Sequence, residues 1–279
     1  MGRCFEVTRK KMAVQGDIVS RYESKYIIPR SLVAAIREYV RPFCEPDPNT
    51  RGDPPEYSIT TLQLETPQYA LHYAKEDELD ARFKMRVRTY GEIGSAPIFA
   101  EIKAKFERTI VKARACVPFN EWGPSLIYGS RIPPIFKNKK QEIDFLKFRR
   151  VVWETAARPE VLVRYTRESY IGVVDDYVRI TFDRKLQYQK TDSWTDFGRS
   201  GIWRGMDSCT AQGFGLPYSG VVLEVKTYNT VPTWVIELVK KFELKRSGNC
   251  KYSTAIWKEA SFSGYPSTNF AQQAVLSSI

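Results

Sequence analysis

The sequence predicts an α+β fold, an antiparallel sheet or barrel with peripheral helices. Segments that alternate polar and apolar residues follow one another through short links, and the few helical stripes lie around them instead of between every pair. The alternation also repeatedly puts charge on one side. In 82–90, Arg82, Lys84, Arg86 and Arg88 share one parity, and Phe83, Met85 and Val87 share the other.

Residues 1–19 read as an N-terminal extension, followed by a main domain over 20–259. Within it "RYESKYIIP" is a strand that stops at Pro29, 30–40 has helical spacing ended by Pro42, and the Pro-, Asp- and Gly-rich 44–56 is a loop. Strands are expected at 57–65, 69–75, 82–90, 97–106 and 109–117. Residues 119–155 are helical or irregular, with an apolar helical stripe through Ile143, Leu146 and Val151. Strands resume at 160–170 and 177–188; 189–219 has no sustained periodicity and reads as a long insertion. A strong strand at 220–228, a helix opened by Pro232, a short helix at 251–259 and a Ser-rich tail over 260–279, expected to be disordered, complete the chain.

The 279 residues suit one large domain or two small ones, and 43% hydrophobic with 13% aromatic residues excludes a largely disordered chain. No apolar run approaches the roughly 18 residues of a membrane span, and "MGRCFEVTRKKMAV" lacks the apolar core of a signal peptide, so a cytoplasmic location is expected. The five cysteines are widely spaced with no C-x-x-C, which argues against a disulfide framework and a thiolate zinc site. His72, the one histidine, excludes a site needing two imidazoles and reads as a structural residue on a strand. A net charge of +11 points to an anionic partner: nucleic acid, an anionic membrane or a phosphorylated small molecule.

Three strands carry E-x-K, with acid and base on one face: Glu23-Ser24-Lys25, Glu101-Ile102-Lys103 and Glu224-Val225-Lys226. Arg86 with Arg88, Lys112 with Arg114, Arg167, and Arg179 with Asp183 extend the pattern to seven strands. The opposite faces carry Phe83, Met85, Val87, Ile102, Phe106, Val111, Leu223 and Val225, which the helices are expected to cover. One charged strand face is ordinarily a solvated surface. Seven together, in a sheet that curls, would line a lumen in which cations outnumber acids. Unit charges about 4 Å apart interact by roughly 4 kcal/mol at an effective dielectric near 20, so such a lumen calls for an anion such as a chain of phosphates. Leftover carboxylates would suit a divalent metal.

"RYESKY", "RFKMRVRTYG", "FAEIKAK", "VKARA", "VLVRYTRESYIG", "VRITFDRKL", "VVLEVKTY" and "CKYSTA" occur in this order. Together they resemble the VTC domain of polyphosphate polymerases, in the triphosphate tunnel metalloenzyme superfamily, over about residues 20–258. The resemblance implies an antiparallel β tunnel barrel with peripheral helices, ATP as substrate and Mn²⁺ or Mg²⁺ as cofactor. It assigns phosphate binding to Lys25, Arg86, Arg88, Lys103, Lys112, Arg167, Arg179 and Lys251, and metal binding to Glu224. Arg114 and Lys226 join the phosphate ligands by parity, and Glu23 and Glu101 are the carboxylates placed to assist Glu224. Asp183 is a further metal candidate, set against pairing with a neighbouring arginine. "LETP" at 64–67 departs from the family's aromatic-Asp-Thr-Pro, with Glu65 for the aspartate, and the insertion 189–219 is long enough to cover a tunnel mouth. Fungal relatives carry a phosphate-sensing domain and membrane helices that this sequence lacks, so coupling to translocation would need a separate membrane protein.

The expected activity is γ-phosphoryl transfer from ATP to a growing polyphosphate, with Arg86, Arg88, Lys103, Arg167 and Arg179 as the catalytic clamp. A tripolyphosphate or nucleoside triphosphate hydrolase would use the same clamp, and a non-catalytic polyphosphate-binding subunit could dispense with the metal. Nucleic-acid binding fits less well, because the cations are spread over many strands among glutamates. No G-x-x-x-x-G-K-[ST] loop is present.

Overall fold

The computed structural model describes residues 22–107, 109–130, 135–174, 177–206, 220–228 and 230–262. The extension, most of the tail and residues 207–219 of the insertion lie outside the described residues. The strands are β1 (Tyr22–Ile28), β2 (Cys44–Pro46), β3 (Glu56–Glu65), β4 (Ala81–Tyr90), β5 (Ile98–Phe106), β6 (Thr109–Val117), β7 (Arg158–Gly172), β8 (Arg179–Lys190), β9 (Arg204–Gly205) and β10 (Val221–Thr227). They form one sheet in the order β1-β10-β8-β7-β3-β4-β5-β6, with β2 beside β7 and β9 beside β8, and every pairing is antiparallel. The sheet is a curled half-barrel, consistent with the tunnel fold; Glu23 on β1 senses Lys103 of β5 electrostatically across the opening.

Two helical layers cover its outer face. α1 (Ser31–Val40) and α5 (Thr233–Lys241) bury Val33, Ile36, Val40, Val235 and Leu238 against Tyr26, Ile180, Phe182 and Leu223. α3 (Pro124–Tyr128) and α4 (Lys139–Thr155) bury Leu126, Ile127, Phe145, Phe148 and Val152 against Leu62, Met85, Val87 and Val117. On the inner face, α6 (Lys251–Phe262) packs Tyr252, Ala255 and Ile256 on Ile59, Val161, Val163 and Tyr188. Each large side chain buried in this way contributes about 1.5–3 kcal/mol. The inner layer fills part of the trough and leaves the rest as a cavity.

The expected strand at 69–75 is instead the helix α2 (Ala70–Glu76). Its start is set by a buried acid out of reach of periodicity: Glu65 accepts the backbone N–H groups of Thr66 (2.7 Å), Leu71 (2.9 Å) and His72 (2.9 Å), and the Tyr252 hydroxyl. The glutamate that departs from the family's aspartate is thus a helix anchor. Glu65→Ala is expected to cost about 1–3 kcal/mol by orphaning these donors, read as a lower unfolding midpoint in urea. His72 lies on this helix, fully buried.

The α4 stripe is also displaced. Ile143 and Leu146 are 41% and 43% exposed, and the core positions are Phe145, Phe148 and Val152, the bulkier set at the same spacing. Phe106 and Val111 stay exposed because the β5–β6 hairpin runs past the helical layer. Cys44–Pro46, expected as loop, adds a short strand, and the last helix reaches Phe262.

Candidate functional site

The concave face holds a cavity of about 740 Å³ lined by thirteen lysines and arginines and three glutamates. Strand alternation places most of them. Glu23 and Lys25 come from β1, Glu224 and Lys226 from β10, Lys84, Arg86 and Arg88 from β4, Lys103 and Lys105 from β5, Lys112 from β6 and Arg167 from β7.

Two arrangements of charge divide the wall. On the β8–β10 side the cations are neutralised. Asp183 is fully buried and accepts two hydrogen bonds from Arg167 (2.6 and 2.7 Å), with Lys251 Nζ 2.7 Å away. Glu224 lies 3.4 Å from both Arg167 and Lys226, 3.6 Å from Lys251 and 3.8 Å from Lys25. Burial opposes its ionisation, yet Lys251, Arg167, Lys226 and Lys25 hold its carboxyl well below the usual carboxylate range. Glu23, paired with Lys25 at 3.3 Å and Lys226 at 3.7 Å, is likewise lowered: burial raises its pKa, but the lysines outweigh burial.

Across the cavity the register leaves positive charge in excess. Lys84 faces Lys103, and Lys103 faces Lys112, a row of three lysines over three strands, where like charges directly opposite repel. Burial lowers the Lys103 pKa, and Lys25, Arg86 and Lys112 add to this against the pull of Glu23. Lys84 Nζ donates to Cys250 Sγ at 2.8 Å, and although burial raises the thiol, Lys84 brings it down to about 7. One row along, Arg86 and Arg114 share Glu101 at 2.6 and 3.2 Å. Among the described residues Arg88 hydrogen-bonds the Tyr90 hydroxyl (3.3 Å) alone, and its buried Nε has no hydrogen-bond partner.

Of the residues expected in the site, the cavity wall brings together Glu23, Lys25, Arg86, Arg88, Lys103, Lys112, Arg167, Glu224, Lys226 and Lys251. It does not include Glu101, which sits behind Arg86, nor Arg114, whose guanidinium lies 4.0 Å over the Phe99 ring. Arg179 is half exposed near the start of β8, 3.6 Å from Asp47. Asp183 pairs with Arg167 and anchors Lys251. Sequence reading overlooked Lys105, which shares the parity of Lys103, and Tyr165, whose ring packs 4.8 Å from Lys251 Nζ and 5.5 Å from the Arg167 guanidinium. Arg246 and Cys250 come from an aperiodic link, where no pattern marks them.

Among the described residues no three His, Cys, Asp or Glu side chains gather as a ready-made metal cage. Glu23 and Glu224, on neighbouring strands, are the carboxylates on the wall beside the basic rows, and each raises the electrostatic cost of ionising the other. Two hard oxygen donors fit a divalent cation of the kind that takes its remaining ligands from substrate phosphates and water.

Fold and site together define a curled antiparallel sheet of the tunnel type with a strongly basic cavity on its concave face. A family model for the VTC domain matches residues 20–258, and the chain belongs to the VTC domain family. No curated protein matches it. Similar solved structures include a Hippeastrum protein provisionally designated an adenylyl cyclase and described with a dominant triphosphatase activity (15% identity, 83% of this chain and 92% of that one, TM-score 0.43). A Vibrio parahaemolyticus protein provisionally designated an adenylate cyclase shares 10% identity over 84% of this chain and 96% of its own, with a TM-score of 0.41. A Pyrococcus horikoshii protein shares 13% identity over 86% and 99%, with a TM-score of 0.39. Among the described residues no helix is long and apolar enough to cross a membrane.

Proposed function

We propose that this VTC domain is a phosphotransferase of the polyphosphate polymerase type, binding ATP by its triphosphate and passing the γ-phosphoryl group to the terminal phosphate of a polyphosphate chain. The row Lys84–Lys103–Lys112 supports this reading, because like charges set directly opposite one another repel and a phosphate anion between them relieves that repulsion. In the transfer, the bond from the γ-phosphorus to the bridging oxygen breaks as a bond to the acceptor's terminal oxygen forms, and ADP leaves.

Such a reaction needs alignment and charge neutralisation more than a protein nucleophile. Arg88 and Lys103, which form no ion pair among the described residues, would meet phosphate oxygens, and Arg86 joins them while Glu101 holds its guanidinium in place. Arg167 and Lys251, fixed by Asp183, are hydrogen-bond donors whose positions need no rearrangement during the step. Glu224, with Glu23, would hold Mn²⁺ or Mg²⁺, whose chemistry is neutralisation of phosphate charge.

Incubation with ATP and Mn²⁺ tests the activity: ADP with long polyphosphate is expected, and orthophosphate without polymer would point to a hydrolase. Absence of turnover with any metal, despite tight polyphosphate binding, would point to a binding subunit. Glu224→Gln is expected to reduce turnover about 100-fold or more. It should also abolish the extra thermal stabilisation that Mn²⁺ gives beyond tripolyphosphate alone. Full activity in this variant would refute the metal assignment.

A further inference from the structure

A second basic depression, of about 590 Å³, lies on the outer face of the sheet between the two helical layers. β3, β7 and β8 form its floor, with Arg164 and Lys185, and the start of the insertion supplies Arg199 at its rim. It opens on the opposite face from the tunnel, with Tyr165 bordering both, because alternation turns Val163 and Arg167 of β7 inward and Arg164 outward.

Arg164 is distinguished by what it lacks. Its guanidinium stacks 4.1 Å over the Trp203 ring and donates to Gln187 (3.1 Å), and among the described residues no carboxylate comes within ion-pair distance. Burial lowers its pKa with no charged neighbour to offset the cost. Other arginines meeting this stretch of the sheet are compensated: Arg37 and Arg184 share Glu168, and Arg184 also takes Glu56. Those two acids are therefore already engaged.

Lys185 reaches the groove through an irregularity in the strand. The β7–β8 register shifts between Arg164 and Thr166, and Lys185 takes a positive φ of 53° there. From inward-facing Asp183, strict alternation would send Lys185 inward; the bulge turns it outward and returns Leu186 and Tyr188 to the inner core. Arg199 lies 5.3 Å over the Phe119 ring and, like Lys185, has no ion pair among the described residues. Glu92 is the sole acid among the lining residues.

We propose that this groove binds a small, multiply charged phosphate anion of about pyrophosphate size, independently of the tunnel. A guanidinium held flat by an indole presents its free N–H edges in a fork that matches phosphate oxygens, and two further cations balance the additional charge. The same chemistry has two sources: a free small phosphate, or a run of phosphates in a polyphosphate chain outside the tunnel.

Equilibrium dialysis of the full chain with labelled pyrophosphate, and separately with long-chain polyphosphate, tests this. Wild type is expected to bind two pyrophosphates per chain. Arg164→Gln with Lys185→Ala should weaken one of them by about tenfold or more, and Arg88→Ala should weaken the other. Lys185→Ala with Arg199→Ala, both at exposed positions, gives the same answer should the Arg164 variant fail to fold. A loss confined to the long polymer would identify the chain as the source. Unchanged binding of both ligands in natively folded groove variants would overturn the proposal. An unchanged second site in Arg88→Ala would instead count against the tunnel reading.

Discussion

Arg88→Ala is expected to lower kcat/KM for ATP by about 10²–10³-fold, the loss typical of removing one preorganised donor that stabilises transferring charge. Its unfolding free energy without phosphate should stay close to that of wild type. The two halves share one cause. Among the described residues Arg88 forms no ion pair, and Glu101, which feels its charge, keeps Arg86 and Arg114, so its removal strands no buried anion while phosphate loses a cation. ATP consumption, product analysis and urea unfolding of the same preparation check both. Near-normal turnover would remove Arg88 from the site, and a large loss of stability would show that it has a structural partner.

Asp183→Ala should do the opposite, costing about 3–5 kcal/mol of stability, the range for breaking one side of a buried ion pair. The carboxylate is fully buried, and its removal takes away the close partner of Arg167 and Lys251, leaving both to the longer contacts with Glu224 at 3.4 and 3.6 Å. Activity would fall with it, but tripolyphosphate should recover part of the lost stability by supplying an anion to the same two cations. A variant as stable as wild type would mean that Glu224 or solvent, and not Asp183, neutralises the pair.

The same carboxylates set a pH dependence. Arginine and lysine neighbours depress Asp183 and Glu224 below their ordinary range against the effect of burial. A folded-state pKa below the unfolded one means that the unfolded chain binds protons first as the medium is acidified. Their contribution is therefore intact above about pH 4 and is lost as pH falls through and below that region. Urea unfolding across this range should give a steep acid limb for wild type and a shallower one for Asp183→Asn.

Much of this was legible from alternation. The parity of Arg86 and Arg88, of Glu101 and Lys103, and of Glu224 and Lys226 gives the inner face of three strands, because a strand side chain can point only to one face or the other. The curled antiparallel sheet and the family followed from such strands in series. The strand expected over 69–75 shows where the method stops: Glu65 caps α2 together with the Tyr252 hydroxyl, from a residue 187 positions away in sequence. The α4 stripe shows a second limit. Two apolar stripes of nearly equal quality run along that helix, and the sheet selected the one bearing Phe145 and Phe148.

The residue pattern of each strand alone determined that cations would line one face, since the two-residue repeat is local. Which cations remain available to an anion depended on cross-strand register and on a helix from the far end of the chain. Arg86 lies opposite Glu101 and pairs with it, Arg88 lies opposite Phe99 and among the described residues forms no ion pair, and Lys251 arrives on α6 to share Asp183 with Arg167. Register offsets and long-range packing are properties of the assembled sheet, and the division of this lumen into neutral and positive walls follows from them.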